Sequence, residues 1–150
     1  MGLFQSFDIC ATGMTAQRFR MDVIAENIAN VSTTRTEDGT PYRRKIVTFQ
    51  EKTLNSGVSS FQNILKDNYN AYNGNGVKVV KVSEDTETDF IMEYDPSHPD
   101  ADENGYVSYP NVNTVTEMTN LIDASRSYEA NTTAFDAVKN MAQSGITIGQ

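Results

Sequence analysis

One cysteine in 150 residues, Cys10, rules out an internal disulfide. There is no tryptophan and a single histidine, His98, set between Pro96 and Pro99. Asp95 and Asp100 stand near it in sequence. No G-x-S-x-G turn and no second pair of metal-ligating residues accompanies them, so His98 reads as a solvated loop residue. We find no catalytic constellation and expect no cofactor. No apolar run approaches the roughly 20 residues needed to span a bilayer. The N-terminus also lacks the basic region and unbroken apolar run of a secretory signal. These absences predict a cytosolic chain unless an export route without a cleaved signal handles it.

Basic residues are scarce too. The 12 Lys and Arg face 20 Asp and Glu, a net charge of −8. Phosphate binding needs clustered cations, so nucleic acid is excluded as the main partner. Apolar residues make up 38% of the chain and mean hydropathy is −0.49. Both are low for a self-contained domain, and the chain is expected to bury apolar surface against other subunits. The charge is unevenly placed: from Glu84 to Glu103 there are nine acids and no Lys or Arg. A basic run, Tyr42–Lys45 (YRRK), stands apart from it. We read the two as solvated faces, with sign-complementary docking between copies as the alternative.

What is present begins with a seven-residue repeat. Phe7, Met14, Met21 and Ile28 form one row, and Leu3, Cys10, Ile24 and Val31 form its companion, broken by Gln17. Such a double row predicts a helix packed along a partner. Cys10 falls on this stripe as a small buried thiol. Gly13 is a weak point in the helix, costing about 1 kcal/mol against Ala. A second such pattern follows Asn111 and Asn113, either of which can cap it, with Glu117 near the first turn where the helix dipole favours an acid. Leu121, Tyr128, Phe135 and Ala142 repeat every seven residues, with Met118, Ala124, Val138 and Met141 beside them. Gly145 is expected to end it.

Between the two patterns the character changes. The stretch NVSTTRTEDGTPY is loop-like, and strands are expected at 43–51, 76–84 and 89–95 from their β-branched and aromatic content. Residues 52–75 read as a flexible connection with one helical turn near Phe61–Lys66. Tyr69 and Tyr72 within it read as surface packing. Residues 95–110, rich in Pro, Asp and Asn, read as an extended loop. The expected fold class is α+β. Long N- and C-terminal helices (1–34 and 111–150) form one coiled-coil-like helical domain, with a small β-rich insertion (35–110) between them.

Two motifs invite a ligand. Residues 100–111, DADENGYVSYPN, match the D-x-[DN]-x-[DN]-G start of a calcium loop. The twelfth position is Asn111 rather than a bidentate Glu, Pro110 lies inside the loop, and the upstream YDPSHP cannot be helical. We therefore read a turn-rich linker, and an acidic-loop, calcium-responsive binding module stands as the alternative function. The GNG at Gly74–Gly76 precedes a strand, not a helix, and so lacks the context of a phosphate loop.

The residues at the two ends carry a family resemblance. SFDICATGMTAQRFRMDVIAENIANVSTTRT (6–36) resembles the N-terminal signature of bacterial flagellar rod and hook proteins. Its NIAN is Asn27, Ile28, Ala29 and Asn30, with Thr33 and Thr34 following. PNVNTVTEMTNLIDASRSYEANTTAFDAVKNM (110–141) is similar to the family's C-terminal half, with YEAN at Tyr128, Glu129, Ala130 and Asn131. YDPSHPDADENGYVSYPNVN most resembles a proximal-rod member. Ala25 stands where family members commonly carry Ser.

The resemblance implies a non-enzymatic axial subunit of the basal-body rod. It would be exported uncleaved by the flagellar type III apparatus and assembled in the periplasmic space with copies of itself and other rod proteins. It would have no small-molecule substrate. Its terminal helices would form the wall of the export channel and drive shaft. Phe7, Met14, Met21, Ile24, Ile28, Met118, Leu121, Tyr128, Phe135 and Val138 are the expected subunit-packing residues. Asn27 and Asn30 share a helix face. We read both as caps of the helix and its exit turn, with hydrogen bonding between subunits as the other view.

Overall fold

The computed structural model describes residues 3–52 and 75–148. The expected helical turn at 61–66 and the tyrosines at 69 and 72 lie outside the described residues. Helix α1 spans Leu3–Ala29; strands β1 (Lys45–Glu51), β2 (Val77–Glu84), β3 (Ile91–Tyr94) and β4 (Tyr106–Tyr109) follow; helix α2 spans Thr114–Ile148. β1 pairs with β2 and β3 with β4. Long terminal helices around a small β region make the expected α+β fold. No described helix is long and apolar enough to cross a membrane.

By its internal contacts the chain divides into two compact units. One comprises Met1–Gln17, Phe49–Val80 and Arg126–Gln150. Within it the helices run antiparallel. The rings of Phe7 and Phe135 meet edge-on with centroids 5.0 Å apart, and the Thr132 hydroxyl donates to the Met14 sulfur at 3.5 Å. Gly13 leaves room for its neighbour: a Cβ there would sit 2.6 Å from Oδ1 of Asn131. The glycine that weakens the helix in isolation thus admits an Asn side chain from its neighbour. Thr12 holds the start of β2. Its hydroxyl donates to the Ile9 carbonyl at 2.8 Å and accepts the Val77 N–H at 3.3 Å. Gly76, at φ +87°, would drive a Cβ to 2.1 Å from that hydroxyl oxygen, so only glycine fits.

The other unit comprises Arg18–Thr48 and Lys81–Ser125. Its apolar core is Val23, Ile24, Tyr42, Val107, Val112 and Ala124. Asn113 caps α2: its Oδ1 accepts the Thr116 N–H at 3.1 Å. Asn111, the other candidate cap, is used elsewhere. The antiparallel β3–β4 pair sets Ile91 opposite Tyr109, Met92 opposite Ser108, Glu93 opposite Val107 and Tyr94 opposite Tyr106.

Several expectations need correction. Tyr106–Tyr109, placed by composition in a loop, is β4; the Pro, Asp and Asn around it belong to the hairpin connection. There Asp102 Oδ1 accepts the N–H groups of Asn104 and Tyr106, both at 2.9 Å, and Gly105 takes φ +82°. Of the side chains that imitate a calcium loop, Asp102 is therefore a turn-former, while the Asp100 carboxylate is taken by Thr34 and Arg35. Gly145 does not end α2, which continues to Ile148; Gly145 keeps a helical backbone rather than the left-handed one of a terminator. β1 and β3 are shorter than expected. Arg44 lies outside β1 because its N–H bonds the Asn111 side chain.

Gln17, the polar break in the α1 seam, has a buried side-chain carbonyl oxygen with no hydrogen-bond partner among the described residues. An orphaned buried acceptor costs about 1–3 kcal/mol. Gln17→Leu is therefore expected to raise the thermal midpoint of the purified chain, by roughly 2–4 °C per kcal/mol recovered. A midpoint lowered by the substitution, in calorimetry, would show that this oxygen is satisfied in solution.

Candidate functional site

The signature asparagine of α1 is the most enclosed polar group of the second unit. Asn27 is completely buried. Its Oδ1 accepts the Lys45 N–H and the Tyr42 hydroxyl, both at 2.9 Å. Its Nδ2 donates to the Lys45 carbonyl at 2.9 Å and to Glu117 Oε2 at 3.2 Å. An amide side chain has two donors and two acceptor sites, and all four are used. Toward Lys45 it pairs as a neighbouring strand would, so the first residue of β1 is held against α1. Asn27 is thus not a helix cap, contrary to expectation: it lies two residues before the end of α1 and bonds across the fold.

Asn30 does serve the exit turn. Its Nδ2 donates to the Glu26 carbonyl at 2.9 Å and its Oδ1 accepts the Thr33 hydroxyl at 3.1 Å. It does so without left-handed φ. Thr34 then donates to Asp100 Oδ2 at 2.8 Å, tying the exit loop to the hairpin connection.

Glu117 carries the network onward. It is 1% exposed. Its Oε1 accepts Arg44 Nε at 2.9 Å, Arg44 Nη2 at 2.8 Å and Asn120 Nδ2 at 3.2 Å. A carboxylate so buried is tolerable only when its charge is matched and its oxygens are occupied. Arg44 also approaches Asp85 at 3.6 Å, and Arg43 donates to the Asp85 carbonyl at 3.0 Å while lying 4.3 Å over the Phe90 ring. Asn111 completes the ring of contacts. Its Oδ1 accepts the Arg44 N–H at 2.8 Å, and its Nδ2 donates to the carbonyls of Asp85 and Thr88. Lys45 pairs with Glu26. The basic run Tyr42–Lys45 is therefore largely neutralised within its own unit, not presented as a solvated face.

The electrostatics follow. Hydrogen bonds from Thr88 and Glu87, with Arg44 nearby, hold the Asp85 carboxyl below the usual carboxylate range, the Thr88 N–H contributing most. Burial, reinforced by the carboxylates of Glu26, Glu84 and Glu117, pushes the Tyr42 phenol from 10.0 up to about 12. His98 and its neighbouring acids bond locally: the His98 Nδ1 accepts the Asp100 N–H at 3.1 Å, and Asp95 bonds Ser97.

The remaining predicted site residues divide by face. Ile24 is buried; Phe7, Met14, Met21, Ile28, Leu121, Tyr128, Phe135 and Val138 are half-buried. Asn131 lies against Gly13, while Ala29, Glu129 and Ala130 are exposed. Met118 is 51% exposed. The inward companion row of α2 is Glu117, Ala124, Asn131 and Val138, one residue away from Met118. Two polar members hid that row from a search for apolar periodicity. The usable signal was their seven-residue spacing.

Two measurements check this network. Glu117→Ala strands the Asn27 amide and removes the partner of Arg44; breaking a buried pair costs about 3–5 kcal/mol. A loss below 1 kcal/mol in urea denaturation would contradict the network. Tyr42 supplies a pH dependence. Because its folded pKa is raised, its contribution is fully present below about pH 10 and is lost as pH rises through about 12. Tyr42→Phe is expected to flatten that alkaline decline, while losing about 1 kcal/mol at neutral pH with the bond to Asn27. Parallel declines in both proteins between pH 9 and 11.5 would disprove it.

Comparison with known proteins agrees with the ends of the chain. Residues 7–35 match the family model described as Flagella basal body rod protein, and residues 103–148 match Flagellar basal body rod FlgEFG protein C-terminal. The flagellar basal-body rod protein FlgC of Borreliella burgdorferi is 45% identical over 100% of this chain and 99% of its own length. The FlgC of Bacillus subtilis is 44% identical over the whole of both chains, and that of Escherichia coli O157:H7 is 39% identical over the whole of both. With relatives this similar along its full length, the chain belongs to the FlgC family of flagellar basal-body rod proteins.

Proposed function

We propose that the chain is a structural subunit of the flagellar basal-body rod, placed in its proximal part and assembled through its terminal helices with copies of itself and other rod proteins. The full-length similarity to FlgC proteins carries this reading. The helix surface supports it. Val115, Met118 and Ile122, spaced three and four apart on one face of α2, are 73%, 51% and 54% exposed. An apolar stripe left open on a helix fits a partner helix. The role is mechanical and not catalytic: the subunit forms wall, passes torque and lines the export path. It reaches the periplasmic space through the flagellar export apparatus without a cleaved signal. The half-buried seam residues Met14, Met21, Leu121 and Tyr128 hold the helices in register, and the exposed stripe meets the neighbouring subunit.

A variant separates assembly from folding. Val115→Asp with Ile122→Asp places two charges on exposed positions, so the purified subunit should keep its melting temperature within about 1 °C. In a strain lacking the native protein, the wild-type chain should restore swimming and co-purify with basal bodies. The double variant should do neither. Normal swimming by the double variant would remove this stripe from the assembly surface. Absence of the wild-type chain from basal bodies would end the rod reading itself.

A further inference from the structure

The β3–β4 hairpin turns one face away from its unit. The register places Met92, Tyr94, Tyr106 and Ser108 on one side and Ile91, Glu93, Val107 and Tyr109 on the other. On the second side the β4 residues are covered, Val107 fully buried and Tyr109 half-buried, while Ile91 and Glu93 of β3 are exposed. On the outward side Met92, Tyr94 and Tyr106 are 56%, 64% and 44% exposed. They are nevertheless held in place. The two tyrosine rings meet edge-on at 5.3 Å, the Ser108 hydroxyl donates to the Met92 sulfur at 3.1 Å, and a Cβ on Gly105 would reach 3.0 Å from the Tyr94 ring. Ordered aromatic and methionine side chains lose little entropy on docking, and these types are enriched at the centre of protein interfaces.

The charge around this face is of one sign. Residues 91–109 hold five acids (Glu93, Asp95, Asp100, Asp102 and Glu103) and no Lys or Arg. Among the described residues one of the five, Asp100, reaches an arginine, Arg35 at 3.7 Å. The complementary surface is therefore apolar and cationic. The chain carries one itself. On β2, Lys78 and Val80 share a face and are exposed, Val80 by 53%. Lys78 has no ion-pair partner among the described residues. Two copies at net charge −8 each repel unless the surfaces that meet are locally matched in sign.

We propose that the Met92–Tyr94–Tyr106 face of one copy docks on the Lys78–Val80 face of β2 in a second copy. The contact rests on the reading of the chain as a self-assembling rod subunit, and adds to it the surface through which neighbouring insertions recognise each other. It pairs the acidic hairpin with Lys78 and covers apolar side chains on both partners.

Disulfide trapping in assembled basal bodies tests the contact. In a Cys10→Ala background, Met92→Cys and Val80→Cys are introduced singly and together, and Tyr106→Cys with Lys78→Cys is run in parallel so that one poorly folding variant does not decide the outcome. Mild oxidation of isolated basal bodies should give a band at twice the 16.6 kDa subunit mass with at least one pair, absent from its single variants and removed by reductant. Basal bodies that contain a swimming-competent pair but yield no such band, or an adduct with a different protein, overturn the contact while leaving the rod reading intact. If the wild-type chain is missing from the basal-body fraction, both fall together.

Discussion

A buried amide with four hydrogen bonds governs how the second unit is put together. Asn27 has no water to fall back on, so each partner it holds must stay in place: the Tyr42 hydroxyl, both backbone groups of Lys45 and the Glu117 carboxylate. These partners come from the exit loop, the start of β1 and the first turns of α2. One side chain therefore ties α1 to the 42–45 stretch and to α2, 90 residues further along the chain. Glu117 can be buried only because Arg44 reaches it, and Arg44 is positioned because its N–H is bonded to Asn111. Removing any member exposes the others to the full desolvation penalty, which makes such networks specify one arrangement sharply.

Much of the fold was legible in the sequence because helices announce themselves by period. The rows Phe7–Met14–Met21–Ile28 and Leu121–Tyr128–Phe135 fixed both helices, and the resemblance at NIAN and YEAN fixed the family. Polar residues on inward faces were not legible. Asn27 read as a cap because asparagines near helix ends commonly are, and its distant partners leave no local trace. Glu117 read as a dipole acid because the first turn of a helix suits one, although the same residue sits on the buried row with Ala124. Gly13 read as a weakness, since what it admits, Asn131, lies on another helix. β4 was hidden by the turn chemistry around it: four strand residues cannot outweigh the Asp, Asn, Gly and Pro that build their hairpin.

The charge distribution takes on a different meaning once partners are known. The basic run at 42–45 is spent internally on Glu26, Asp85 and Glu117. The acids of the hairpin are not matched in the same way. The net charge of −8 thus resides mainly on the surface of the insertion, where it keeps single subunits apart in solution. Such repulsion is screened at physiological salt beyond about 8 Å, so it acts on close approach.

Inside and outside are partly exchanged relative to an ordinary domain. The buried centre of the second unit combines apolar residues with a hydrogen-bonded polar network, whereas Val115, Ile122 and Tyr94 face outward. For a subunit that folds once and then assembles, this division is consistent. A buried polar network contributes little net stability but penalises every alternative pairing heavily, so the subunit presents one shape to its lattice. Apolar surface is non-directional and contributes in proportion to the area covered. Placed outside, its contribution is largely withheld until a neighbour arrives. Folding is thereby made specific by the network, while the helix and hairpin keep apolar side chains on the surface.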